Sequence, residues 1–299
     1  MDFAAGLKTI VVAVDLQGRS GGAMEYARKL AGSYGARIVL VYSADPAEFA
    51  TVENVPGSVI RTLPPEVKSE LDRMAAELIR EGIHSHSEVR QGVVAEMLVS
   101  VARERKAGLI VVGTEGRRGV GPLLVGSLAE QLVRKAHCPV LAVASDWNAG
   151  PLRPQPGGPV LLALQKDDAA PAAIEAARTL AATFERTLLV LHARSAQEAA
   201  AFLNPCVTTV KDFGLESDKQ LKVRCIVKDG NPADVVEQAV QQHHPSILVI
   251  GVKRTSEQAG PHGTAFRLLA RSRVPVLCVP PVNNLQSEVE EQLVITGAR

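Results

Sequence analysis

Aromatic side chains are scarce in this 299-residue chain, at 3% of the total. The 46% that is hydrophobic is mostly Ala, Val, Leu and Ile, so an aromatic-dominated core is excluded. That mixture suits buried parallel strands flanked by Ala-rich helices. Net charge is also nearly absent, at +1, which excludes a global bias toward nucleic acid or an anionic membrane. There are four cysteines, Cys138, Cys206, Cys225 and Cys278, and no two form C-x-x-C. Zinc and dithiol redox motifs of that type are therefore missing. Cys138 and Cys278 flank apolar runs and read as small buried hydrophobes. No stretch approaches the roughly 18 uninterrupted apolar residues of a membrane span. The start, MDFAAGLKTIVVAVD, has neither the basic opening nor the cleavage site of a secretory signal. The expectation is a soluble cytoplasmic protein.

What is present is alternation. Apolar runs at 9–15, 37–43, 86–90, 109–114 and 139–145 are separated by helix-length segments near 20–34, 65–82, 94–106 and 126–136. A βαβα pattern implies a parallel sheet with right-handed crossovers and helices on both faces. The second half repeats it, with runs at 159–165, 187–193, 222–228, 247–252 and 275–281. Gly92 and Gly230 lie 138 residues apart, as do Gly113 and Gly251. Gly126-Ser127 precedes Gly263-Thr264 by 137, and Pro139 precedes Pro275 by 136. The chain is one α/β domain written twice. Gly- and Pro-rich residues 146–159 carry no apolar periodicity and read as the connection. The expected division is a first domain over 1–146, a linker over 147–158, a second domain over 159–282 and a tail over 283–299. The first copy has an additional segment, 43–65, that reads as a long loop.

The segment after the fourth run is GTEGRRGVGPLLVGSLAEQLVRKA. Gly113, Gly116 and Gly126 are spaced so that backbone can approach a phosphate closely. Ser127 is a fitting N-cap for the helix that follows, whose first N–H groups and dipole favour an anion. Arg117 and Arg118 lie in the loop and would pair with outer phosphates. The alternative is a solvated surface loop. No Lys precedes Ser127, so this is not a Walker A loop, and no G-x-G-x-x-G follows the first run.

These residues resemble the universal stress protein family, whose ATP-binding members carry G-x2-G-x9-G-[ST] after the fourth strand. TIVVAVD, VRQGVVAEML and HCPVLAV resemble its first strand, its turn into the third helix and its last strand. The resemblance spans nearly the whole chain, as in tandem members. It implies two doubly wound α/β domains, each a five-stranded parallel sheet of order 3-2-1-4-5. It also implies an intramolecular pseudo-dimer in which PVLAVAS and PVLCVPP pair antiparallel, ended by Pro280-Pro281. Position by position, it implies that Asp15 and Val41 meet the adenine. Gly113 and Gly116 would run along the ribose and phosphates, and Gly126 and Ser127 would hold phosphate oxygens. The implied ligand is ATP, with Mg2+ held mainly by phosphate and water. One departure is Leu16-Gln17 after the Asp, where the family often has Gly-Ser.

The second copy departs further. Gln165 stands in the place of Asp15, Arg254 in the place of Gly116, and the loop is one residue shorter. A side chain there would crowd a phosphate. Lys253 and Arg254 would still attract an anion, but the expected role is structural, with one nucleotide per chain. The histidines, His84, His86, His243 and His244, read as surface or capping groups. No H-E-x-x-H motif and no catalytic set is found. The leading reading is an ATP-binding stress-response regulator, with an adenine nucleotide as partner and neither nucleic acid nor membrane. A slow ATP hydrolase and a ligand-free scaffold are the alternatives, and a homodimer of the tandem chain stays open.

Overall fold

The computed structural model describes residues 3–16, 18, 20–44, 50–55, 58–62, 64–114, 128–144, 157–165, 168–194, 211, 215, 221–253 and 263–281, with the backbone alone over 50–62. The first half runs α1 (Phe3–Gly6), β1 (Thr9–Val14), α2 (Gly21–Tyr34), β2 (Arg37–Ser43), β3 (Ala50–Val55), β4 (Ser58–Thr62) and α3 (Pro65–Arg80). It continues with β5 (Ser85–Arg90), α4 (Val94–Glu104), β6 (Leu109–Thr114), α5 (Leu128–Lys135) and β7 (Val140–Ala144). The second half runs β8 (Val160–Ala163), α6 (Ala170–Thr183), β9 (Leu188–Arg194), β10 (Val223–Asp229), α7 (Pro232–His243), β11 (Ile247–Gly251), α8 (Thr264–Arg271) and β12 (Val276–Val279).

Each half builds the same five-stranded parallel sheet. In space the first reads β7-β6-β1-β2-β5 and the second β12-β11-β8-β9-β10, which is order 3-2-1-4-5 in both. The two last strands pair antiparallel, Val276 with Ala142, Leu277 with Leu141 and Cys278 with Val140. The result is one ten-stranded sheet with a pseudo-twofold axis between Leu141 and Leu277. β12 ends at Val279, where Pro280 can no longer donate to a ladder.

Why these strands pair this way follows from their composition. TIVVAV, LIVVGT and VLAVA are buried on both faces, as parallel strands covered by helices must be. Alternate residues feed two cores that run through both halves. Ile10, Val12, Leu141, Leu162 and Leu277 pack with α2, α3 and α6. Val11, Val41, Ile110, Val140 and Cys278 pack with α4, α5, α7 and α8. Cys138 and Cys278 are buried, and burial pushes the Cys138 thiol up to about 12 and Cys278 further, so neither ionises near neutral pH.

Helices join the halves as well. Tyr26 Oη of α2 donates to the Ser246 carbonyl at 2.6 Å, and Tyr34 Oη lies 2.8 Å from Thr183 Oγ1 of α6. On the other face the Arg134 guanidinium sits 4.4 Å from the Phe266 ring centroid, linking α5 to α8. Gly92 and Gly230 open the turns into α4 and α7 with φ of +125° and +140°, which only glycine adopts readily. The segment expected as a loop holds a finding: β3 and β4 form an antiparallel hairpin without a counterpart among the described residues of the second half.

Gly108 packs against α1. A Cβ there would lie 2.0 Å from the Gly6 carbonyl oxygen, which is backbone and cannot swing away. Gly108→Ala should therefore lower stability by about 2 kcal/mol, since overpacked sites typically lose that much. Urea unfolding measures it, and an unchanged midpoint would show that α1 does not hold this position in solution.

Candidate functional site

A doubly wound sheet opens a crevice where neighbouring strands send their chains to opposite sides. In the first half that switch lies between β1, which continues toward β2, and β6, which continues toward β7. Asp15 follows directly on β1, and Gly113 is the fifth residue of β6, paired with Val143. The two sequence-predicted residues thus stand at the carboxyl ends of adjacent strands, on the two sides of the switch.

Asp15 is held there by its own loop. Its N–H donates to Ser20 Oγ at 3.4 Å, and that hydroxyl donates back to the Asp15 carbonyl at 3.3 Å. Gly18, between them, takes φ of +80°. The stretch Gly18-Arg19-Ser20-Gly21-Gly22 fits the letters of G-x-S-x-G, a serine nucleophile pattern, which corrects the expectation that the chain has none. Ser20 is buried and bonds the Asp15 main chain rather than a histidine, so the hydroxyl serves the loop, not an acyl transfer.

Val41 takes a different place. It pairs with Ala13 of β1 and Glu88 of β5, and its side chain is 1% exposed, packed in the core under α4. Any contact of Val41 with a ligand is left to its main chain. Gly116, Arg117, Gly126 and Ser127 lie outside the described residues. The helix that follows them, α5, begins at Leu128 and carries Glu130 in its first turn.

The structure adds a wall that sequence reasoning missed. A cavity of about 380 Å³ runs from Asp15 and Ser20 between α2 and α3, bounded by Arg28, Glu70, Arg73 and Glu77. Arg28 pairs with Glu81 at 2.8 Å and reaches Glu77 at 3.6 Å. Arg73 pairs with Glu70 at 2.6 Å and also with Glu77. Its hydrogen bond to Glu70 holds that carboxylate below the usual range. Both guanidiniums are thus already engaged by carboxylates of α3 or its end. The i, i+3, i+7 spacing of Glu70, Arg73 and Glu77 was visible in the sequence, but such spacing usually marks a solvated helix face.

The second half differs in the same place. Gln165 is exposed where Asp15 stands in the first half. A Cβ on Gly251 would lie 3.1 Å from Ala169 Cβ and 3.4 Å from its carbonyl carbon, so the residue before α6 is pressed against the end of β11. His192, at the end of β9, is buried with Nδ1 3.0 Å from the Leu164 carbonyl. Lys253 is exposed, and Arg254 lies outside the described residues. Among the described residues no group of three or more His, Cys, Asp or Glu side chains is placed to hold a metal ion, and no helix is long and apolar enough to cross a membrane.

Comparison with known proteins gives a consistent picture. The model of the universal stress protein family matches residues 6–144 and again 158–280. A universal stress protein of Methanocaldococcus jannaschii is 32% identical over 141 residues, covering 46% of this chain and 81% of that protein. Universal stress protein A homolog 1 of Coxiella burnetii is 33% identical over 144 residues, covering 46% of this chain and 95% of its own length. Among solved structures, a universal stress protein from Archaeoglobus fulgidus superposes with a TM-score of 0.65 over 92% of this chain and 99% of its own, at 16% identity. At that identity the likeness concerns the fold alone.

Proposed function

This chain belongs to the universal stress protein family, and we propose that it is a cytoplasmic stress-response regulator whose first domain binds ATP while the second completes the sheet. The observation that carries this reading is the placement of Asp15 and Gly113 on either side of the β1–β6 switch point, where open α/β sheets take their ligands. From Gly113 the chain leads into the G-x2-G-x9-G-S segment and then into α5. In this reading the main chain of Gly113, Gly116 and Gly126 and the hydroxyl of Ser127 hold the phosphates. Arg117 neutralises their outer charge, Asp15 meets the adenine edge, and Val41 contributes its main chain. Mg2+ bound with the triphosphate would be coordinated by phosphate oxygens and water. We place the domains at 1–146 and 159–282, with the linker at 147–158 and a tail from 283.

The second half supports an asymmetric stoichiometry. It has Gln165 and Arg254 in the places of Asp15 and Gly116, and Ala169 packed onto Gly251. Calorimetric titration of nucleotide-free protein should therefore give one ATP per chain. Mass spectrometry of whatever denatured, freshly purified protein releases should identify an adenine nucleotide. Two equal sites would overturn the asymmetry. No heat, no released nucleotide and no change in melting with ATP would overturn the reading itself.

A further inference from the structure

Because the chain contains its fold twice, each half is a reference for the other, and the turns into α4 and α7 differ in side chain where they agree in backbone. Gly92 and Gly230 open these turns 138 residues apart, both with positive φ. The next residues match in conformation: Val93 has φ −66° and ψ 118°, and Asn231 has φ −65° and ψ 127°. Ala95 and Ala233, two residues further on, are both buried. Val93-Val94 therefore correspond to Asn231-Pro232.

Asn231-Pro232 is what a helix start favours. The Asn231 side chain accepts from the Ala233 N–H at 3.1 Å and from Arg267 Nη1 at 3.2 Å, so it caps α7 and ties it to α8. Pro232 brings the fixed φ of a first helical position. Val93 has no side-chain oxygen with which to cap α4 and forgoes that stabilisation. It also leaves apolar surface in water: Val93 is 58% exposed and Val94 36%. Among the described residues the other large apolar side chain so exposed is Ile79, on α3. Two costs thus fall on one turn, and the equivalent turn bears neither, which points to something that covers the valines.

That turn stands beside the candidate site. Ser43 at the end of β2 pairs with Arg90 at the end of β5, and the Ala44 N–H donates to the Arg90 carbonyl at 3.0 Å. On the other side of β2, Tyr42 pairs with Val14, the residue before Asp15. Two strand spacings, about 10 Å, thus separate β1 from β5 at the carboxyl edge of the sheet. From there α4 runs over the face that holds the Val41 side chain. We propose that Val93 and Val94 are the apolar wall of the base subsite, packing against the flat face of the adenine while Val41 offers its main chain. This rests on the nucleotide reading above and adds to it the side chains that hold the base. The half assigned the nucleotide has the valines, and the half assigned none has the capped turn. An aliphatic wall buries a purine face but offers neither charge nor donor to a phosphate, so it acts on the base alone.

The test is calorimetric titration of the nucleotide-free full chain with ATP and, separately, with inorganic tripolyphosphate. Val93→Asn with Val94→Pro copies the second half, and the matching backbone angles let that pair enter the turn without strain. The double variant should weaken ATP by about tenfold, roughly what one apolar side chain contributes when a ligand buries it. Tripolyphosphate binding should stay unchanged. The ligand-free protein should melt a few degrees higher, as a gained helix cap predicts. Val93→Ser, which caps α4 without the proline, should show the same pattern to a smaller degree. Undiminished ATP binding in both variants, or an equal loss for ATP and tripolyphosphate, would overturn the wall and leave the nucleotide site standing. A parent chain that binds neither ligand would instead overturn the nucleotide reading, and the wall with it.

Discussion

Leu141→Asp should leave the chain unable to hold its native sheet. Leu141 is fully buried and paired with Leu277 at the pseudo-twofold axis, in the core under α2 and α6. A carboxylate there loses roughly 2–3 kcal/mol of apolar burial and adds a desolvation cost of several kcal/mol among apolar neighbours. A native stability of about 5–15 kcal/mol does not survive that with much margin. Leu141→Ala separates packing from charge and should cost about 2–5 kcal/mol while keeping the fold. Circular dichroism against denaturant reads both. Since β7 and β12 belong to one sheet and Tyr26 ties α2 to Ser246, the signals of the two halves should move together. A Leu141→Asp protein with near-native melting would mean that the halves fold apart and the junction contributes little.

The pairing that makes this variant severe was legible before any coordinates. Repeats at offsets of 136 to 138 place the two last strands in equivalent positions, and the family resemblance pairs them. Strand and helix placement was legible for the same reason: long apolar runs and helix-length intervals leave few alternatives in a βαβ chain. The β3–β4 hairpin was not, since it is an insertion in one copy and no internal repeat disciplines its reading. Nor was α1, whose four residues are too few for periodicity to show. Of the site, the strand-end residues Asp15 and Gly113 could be brought together from topology alone. Val41 could be placed on its strand, but the burial of its side chain follows from α4 packing over it. The cavity wall of Arg28, Glu70, Arg73 and Glu77 comes from two helices, α2 and α3, whose mutual approach no local pattern encodes. The edge charges were visible as letters in both copies. Register adds that Glu88 and Ile226 occupy matching positions on the two outer strands.

Gly116→Arg should abolish the response to ATP while leaving the nucleotide-free protein as stable as before. The substitution copies into the first half what Arg254 already is in the second. A loop that follows a phosphate with its main chain needs glycine where the backbone comes closest, and an arginine Cβ both fills that space and resists left-handed dihedrals. If the proposed site is right, free ATP at 100 times its dissociation constant stabilises the parent chain by about 2.7 kcal/mol. For domains of this size that is a rise of roughly 5–10 °C in melting temperature. The variant should show none of it, and Gly116→Ala should fall between, since a methyl group crowds the phosphate less than a guanidinium arm. Arginine is also a cation, so a loop that merely attracts phosphate by charge would bind ATP more tightly after Gly116→Arg. The sign of the change therefore separates a shaped main-chain cradle from a diffuse basic loop, and an undiminished ATP shift in the variant would rule out the cradle.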